Sequence, residues 1–110
     1  MEIYQSSEIT VHKLNELREE DSKIQIIDVR EDTEREHAHI KGTIHMKLSE
    51  IANKYTELDK NKNIFVMCHV GTRSQGVCKW LKAQGLPHCV NVLGGIDAWA
   101  ALIDRNIRRY

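Results

Sequence analysis

The chain reads as an α/β domain, a mostly parallel sheet with helices on both faces, and three observations predict it. Short apolar runs alternate along the sequence with segments whose apolar residues recur at helical spacing, the pattern of strands joined by crossover helices. The clearest apolar run, Asn63-Ile64-Phe65-Val66-Met67, has the length and content of a buried strand. With 110 residues, 41% of them hydrophobic and 5% aromatic, the chain can bury one modest core, so a single domain over residues 1–110 is expected.

Each element follows in order. A short first strand is expected at residues 3–6, then a helix capped by Ser7 or Thr10 in which Val11, Leu14 and Leu17 form an apolar stripe. Residues 23–29 read as a second strand with Asp28 at its end, residues 31–37 as a short acidic helix and residues 43–46 as a third strand. Residues 48–55 are expected to be helical, with a polar turn at 59–63. The fourth strand, residues 63–67, leads to a helix at 74–84 whose Val77, Cys78 and Leu81 share a face; it stops at Gly85, with Pro87 just beyond. Residues 89–93 make a fifth strand, and Gly94-Gly95 turns into a last helix that carries Ala98, Trp99 and Leu102. There is no internal repeat and no low-complexity segment.

Charge narrows the partners. Lysine plus arginine and aspartate plus glutamate both number 16, so no net field draws the chain to nucleic acid or to an anionic membrane, and neither is an expected partner. No apolar run has the length of a membrane span, and the N-terminal residues lack the charged start and apolar stretch of a signal peptide, which makes the cytoplasm the expected compartment. Cys68, Cys78 and Cys89 are odd in number and widely spaced, fitting neither a disulfide framework nor a paired CxxC zinc site. His37, His39 and His45 come from different kinds of local structure and lack ligand spacing, so no metal and no other cofactor is expected.

The chemistry concentrates in Met67-Cys68-His69-Val70-Gly71-Thr72-Arg73-Ser74, between the fourth strand and its helix. A loop that turns from strand to helix in so few residues points its N–H groups inward above the positive end of the helix, a setting that favours an anion. A free cysteine titrates near ~8.5, and a helix N-terminus with an adjacent cation lowers that value, so Cys68 is expected to be largely thiolate at neutral pH. A lone cysteine that ends a strand is commonly an inert small hydrophobe. Gly71 and Arg73 argue otherwise: glycine admits a left-handed turn or a ligand close to the backbone, and arginine supplies forked donors for an oxyanion.

These residues carry a resemblance. The string CHVGTRS, the helix ending in WLKAQG and then NVLGGIDAW are similar to the single-domain rhodaneses, the thiosulfate sulfurtransferase-like family. An independent block agrees, since Ile27-Asp28-Val29-Arg30-Glu31, then Glu34, then Ala38-His39-Ile40-Lys41-Gly42-Thr43 is similar to the family's DVRE, E and GHIxGA segments in their usual order. The match covers nearly the whole chain, and it implies a twisted five-stranded parallel core with the active site at the carboxyl ends of the strands. The chain departs from the family pattern at Arg35, where an aromatic is common, at Ala38 in place of glycine, at Lys41 and Lys47 in place of proline, and at Thr43 in place of alanine. These departures bear on packing around the second and third strands and lie outside the cysteine loop.

The resemblance implies roles. Cys68 attacks the sulfane sulfur of thiosulfate or a related persulfide donor, carries it as a persulfide, and yields it to a thiol or cyanide, with a protein acceptor as an alternative. His69, Val70, Gly71, Thr72, Arg73 and Ser74 form the substrate-binding ring: their N–H groups hold the anion, Arg73 draws an anionic donor, and Ser74 caps the helix and reaches toward the sulfur. No general base is needed once the thiolate exists, so His69 binds or simply faces water. Asp28 reads as turn support, Arg30 with Glu34 as a local ion pair, Trp99 as a core anchor, Cys78 as packing and Cys89 as strand core or an exposed thiol, either cysteine resolving a persulfide only if geometry allows. Two other classes compete, a non-catalytic persulfide carrier or regulatory module, and a cysteine-dependent phosphatase or arsenate reductase. The latter enzymes place one residue more between cysteine and arginine, whereas His69, Val70, Gly71 and Thr72 alone separate Cys68 from Arg73, a ring sized for a single sulfur.

Overall fold

Five parallel strands form the centre of the structure, a computed structural model that describes residues 2–110; Met1, which opens the expected domain, lies outside the described residues. In chain order the elements are β1 (Glu8–Ile9), α1 (Val11–Glu20), β2 (Gln25–Asp28), α2 (Asp32–His37), β3 (Ile44–His45), α3 (Ile51–Lys54), β4 (Ile64–Met67), α4 (Thr72–Ala83), β5 (Cys89–Val92) and α5 (Gly95–Leu102). The strands lie in the order β1-β5-β4-β2-β3, every neighbouring pair parallel. The predicted α/β class and the five-stranded parallel core are therefore present.

Every residue of β4 and β5 is buried, because both faces of the sheet are covered. Side chains alternate across the strands, and the core divides accordingly. Ile27, Ile64, Val66 and Cys89 pack with Val77 and Leu81 of α4 on one face. Ile26, Phe65 and Val90 pack with Leu14 of α1 and Trp99 of α5 on the other, where Trp99 is the anchor expected of it.

The first strand and the start of α4 differ from expectation. The first strand lies at Glu8–Ile9 and not at residues 3–6, since it is Glu8 and Ile9 that pair with Asn91 and Val92 of β5. Tyr4 instead exchanges two hydrogen bonds with the side chain of Asn63, donating to Oδ1 at 2.7 Å and accepting from Nδ2 at 3.0 Å, so its backbone is satisfied without a strand neighbour. Of the two expected caps it is Thr10 that closes α1, accepting from the Lys13 N–H at 3.2 Å. Helix α4 starts at Thr72, two residues ahead of the expected 74, because Gly71 makes the turn in the left-handed region at φ 102° and takes the N-cap position. Ser74 thus lies inside the first turn and is not the cap.

Candidate active site

Cys68 follows the carboxyl end of β4 and is 1% exposed. Its backbone is fixed from α5: Ile96 N–H donates to the Cys68 carbonyl at 2.9 Å and Asp97 N–H to that of His69 at 3.0 Å, so first-turn donors of one helix find acceptors in the loop. The approach is close enough that a Cβ on Gly95 would lie 2.3 Å from the Cys68 carbonyl oxygen, with φ at +55° besides.

Around the sulfur, donors converge. Gly71 N–H lies 3.1 Å from Sγ, Ser74 N–H 3.4 Å and the Ser74 hydroxyl 3.3 Å. Asn91 of β5 organises this cradle, accepting the Ser74 hydroxyl proton on Oδ1 at 2.5 Å and donating from Nδ2 to the Gly71 carbonyl at 3.1 Å. Burial alone would push the Cys68 thiol up, but hydrogen bonds from the Ser74 side chain and from the N–H groups of Ser74, Gly71 and Val70 outweigh it, leaving the pKa below the ordinary thiol value. Thr72 and Arg73 open α4 with N–H groups that have no intrahelical acceptor.

Arg73 does not stand open to an anion. Its guanidinium is held by Glu34 of α2 in a two-point pair, Nη1 to Oε1 at 2.6 Å and Nη2 to Oε2 at 2.8 Å. The Glu34 carboxyl is driven down to about 2, chiefly by this bond, and Arg73 is raised in turn. The Tyr110 hydroxyl donates to the same carboxylate at 2.8 Å, while its ring stacks on His69 with centroids 4.0 Å apart and planes at 8°.

The rhodanese-like domain family matches residues 10–102. The chain belongs to the rhodanese-like family. YtwF of Bacillus subtilis (strain 168), provisionally named a sulfurtransferase, is 41% identical over 92 residues, covering 84% of this chain and 88% of YtwF. YrkF of the same organism, provisionally named a sulfur carrier protein, is 36% identical over 92 residues, covering 84% of this chain and 50% of YrkF; the chain thus spans half the length of that relative. Among solved structures, a rhodanese-like domain protein from Staphylococcus aureus superposes with a TM-score of 0.82 at 30% identity, covering 96% of this chain and 99% of that one.

Within this rhodanese-like site the predicted loop residues occupy distinct places. Cys68, Gly71 and Ser74 come together. The Val70 side chain is 53% exposed, so only its backbone faces the sulfur, and the Thr72 side chain is exposed as well. His69 is held by its stack on Tyr110, with a buried Nε2 that has no hydrogen-bond partner among the described residues. Arg30 and Glu34 are not the local ion pair expected. The Arg30 guanidinium is wholly buried, and its five N–H groups find five acceptors: Asp28 Oδ1 and Oδ2, the carbonyls of Glu34 and Ala38, and the Tyr110 hydroxyl. Asp28 has the supporting role expected, bound by both Arg30 and Arg35.

Two departures from the family pattern explain each other, since Arg35 donates to the Thr43 hydroxyl at 2.9 Å and to its carbonyl at 3.0 Å. Cys78 and Cys89 are buried thiols pushed up by desolvation, to about 12 and about 11, which leaves them without thiolate at neutral pH. Among the described residues no three or more of His, Cys, Asp and Glu are grouped to hold a metal ion, and no helix is long and apolar enough to cross a membrane. Sequence reasoning missed Asn91, Tyr110 and the Arg73–Glu34 pair. Asn91 did leave a signal, as the one polar residue in the run Cys89-Val90-Asn91-Val92.

Proposed function

We propose that the protein is a sulfurtransferase that takes a sulfane sulfur onto Cys68 and passes it to a thiol or to cyanide. The observation that carries the reading is the convergence of the Gly71 N–H, the Ser74 N–H and the Ser74 hydroxyl on a buried sulfur whose pKa they depress. The Cys68 thiolate attacks the outer sulfur of a donor such as thiosulfate; one S–S bond forms, the donor's S–S bond breaks, and sulfite departs with the electron pair. The product, Cys68-S-S⁻, keeps a single negative charge, and the first turn of α4 that follows the cysteine favours an anion. Cyanide or a thiolate then attacks that outer sulfur and restores the Cys68 thiolate.

Two further observations bear on alternatives. The Arg73 fork is engaged by Glu34, which argues against recognition of a tetrahedral oxyanion and so against phosphatase or arsenate reductase chemistry. The likeness to YrkF, named as a sulfur carrier, supports a second reading in which the same persulfide is handed to a protein acceptor. The three cysteines are free, which suits a reducing compartment such as the cytoplasm.

Intact mass measurement after exposure to sulfane donors tests the reading. A gain of about 32 Da on the wild type, reversed by cyanide with release of thiocyanate, is expected. Cys68→Ser should show neither the adduct nor turnover, while Cys78→Ser and Cys89→Ser keep both. A Cys68→Ser protein that still forms thiocyanate would sink the assignment, and stoichiometric loading without cyanide turnover would favour the carrier.

A further inference from the structure

The cysteine loop carries little packing of its own. Val70 is 53% exposed and Thr72 is exposed, so neither side chain fixes the backbone that follows Cys68. Yet the Gly71 N–H has to stay on the sulfur, 3.1 Å away, and the Val70 N–H also helps to hold the thiol down. The Val70 N–H shares a planar peptide unit with the His69 carbonyl, which accepts from the Asp97 N–H at 3.0 Å. The direction of these donors is therefore set by Asp97 and by the placement of His69 itself.

His69 is placed by Tyr110. The two rings stack with centroids 4.0 Å apart and planes at 8°, and His69 Nε2 is buried with no hydrogen-bond partner among the described residues. The stack, not a bond through Nε2, thus orients the imidazole. Tyr110 is itself held from several sides. Its hydroxyl accepts from Arg30 Nη1 and donates to Glu34 Oε2, both at 2.8 Å, and its ring lies 5.7 Å from the guanidinium carbon of the buried Arg30 and edge-on to His37 at 5.2 Å. The preceding residue, Arg109, forks onto the carboxylate of Asp97 at 3.0 and 3.1 Å, and Asp97 is the residue whose N–H holds the His69 carbonyl. Tyr110 therefore reaches the loop at two points: through its ring at His69, next to the cysteine, and through its hydroxyl at Glu34, the partner of Arg73.

From this juxtaposition we infer that Tyr110 is a positioning residue for sulfur transfer: stacked on His69, it holds the loop so that the N–H groups of Val70 and Gly71 stay on the Cys68 sulfur. The inference deepens the sulfurtransferase reading and rests on it. The competing role for Tyr110 is to seal the buried Arg30. That role resides in the hydroxyl, whereas the hold on His69 resides in the ring, so the two can be separated.

The pH profile of Cys68 alkylation is measured beside thiocyanate formation from thiosulfate and cyanide. Tyr110→Leu removes ring and hydroxyl together, and the inflection of the alkylation profile should rise by about half a pH unit or more. Below the inflection kcat/KM should fall about threefold, and it should recover at higher pH as the thiolate refills. Tyr110→Phe keeps the ring, so its inflection should stay within about 0.2 pH unit of the wild type. In a His69→Ala background Tyr110→Leu should shift the profile no further, the mark of a residue that acts through another. Arg109→Ala, at an exposed position, loosens the segment that carries Tyr110 and should raise the inflection in the same sense, which guards against a folding failure in Tyr110→Leu. A profile unmoved in the folded variants, a shift in Tyr110→Phe as large as in Tyr110→Leu, or an undiminished shift in the His69→Ala background would overturn the inference while leaving the persulfide reading intact. Failure of the wild type to gain about 32 Da on Cys68 would remove that reading and the inference with it.

Discussion

Ser74 has one hydroxyl proton and two acceptors within reach, Asn91 Oδ1 at 2.5 Å and the Cys68 sulfur at 3.3 Å. While Cys68 is a thiol its S–H donates to Ser74 Oγ, and the serine proton goes on to Asn91; once Cys68 ionises, the serine proton turns to the thiolate. Asn91 therefore competes with the thiolate for one proton while holding the Gly71 peptide that supplies another donor. Asn91→Asp sets a carboxylate in this position and removes the Nδ2 donor, so the Cys68 pKa should rise by about one unit or more. The check is the pH profile of Cys68 alkylation, displaced upward in the folded variant; an unmoved profile would mean that Asn91 only packs. At this scale the loop was legible in the sequence, because Cys68, Gly71 and Ser74 act through neighbours in the chain. Arg73 was not, because its partner Glu34 lies 39 residues away, and an arginine next to a cysteine looks free until the fold supplies its carboxylate.

The same contrast holds among the elements. Helix α2 has six residues and buries none of them, too short to persist on its own. Polar bonds hold it: a reciprocal capping box between Glu31 and Glu34, and the buried Arg30 bound to the carbonyls of Glu34 and Ala38. The folded Glu34 carboxyl titrates at about 2 against an ordinary value of 4.5, so it contributes stability that is fully present above pH 4.5 and lost as pH falls toward 2. Glu34→Gln should flatten the decline of unfolding free energy across that window, measured by denaturant titration at successive pH values. It should also release the Arg73 fork and lower KM for thiosulfate several-fold, the direction opposite to a general loss of structure. Elements with local signals matched expectation, as at Thr10 before α1 and Gly85 after α4. The first strand did not, since only its pairing with β5 decides which residues count as strand.

For the molecule as a whole, the sheet order places the site where α4 and α5 both begin, with Cys68 between them. Gly95 is where this arrangement is tightest. Gly95→Ala would force a Cβ toward the Cys68 and His69 carbonyls, at 2.3 and 2.6 Å, on a backbone with φ +55°. A loss of about 2 kcal/mol or more is expected, read from chemical denaturation, with Cys68 alkylated faster in the native state as the loop is pushed outward. Alternating apolar runs sufficed to predict the layers and the parallel sense. They do not encode which strand sits between which, and that is why the contacts of Asn91, Ile96 and Tyr110 with the loop became visible only in the structure.

The position of β5 between β1 and β4 also sets an order in time. A chain emerging from the ribosome releases Cys68 before Asn91 and Ile96, and the hydroxyl of Tyr110 later still. Until β5 slots into its gap, β1 has no partner strand, the Cys68 carbonyl lacks its Ile96 donor, and Ser74 lacks the side chain that aims its hydroxyl. An unfinished chain thus lacks the donors and supports that β5 and α5 bring to Cys68, and the cradle around the sulfur is completed with the last strand of the sheet.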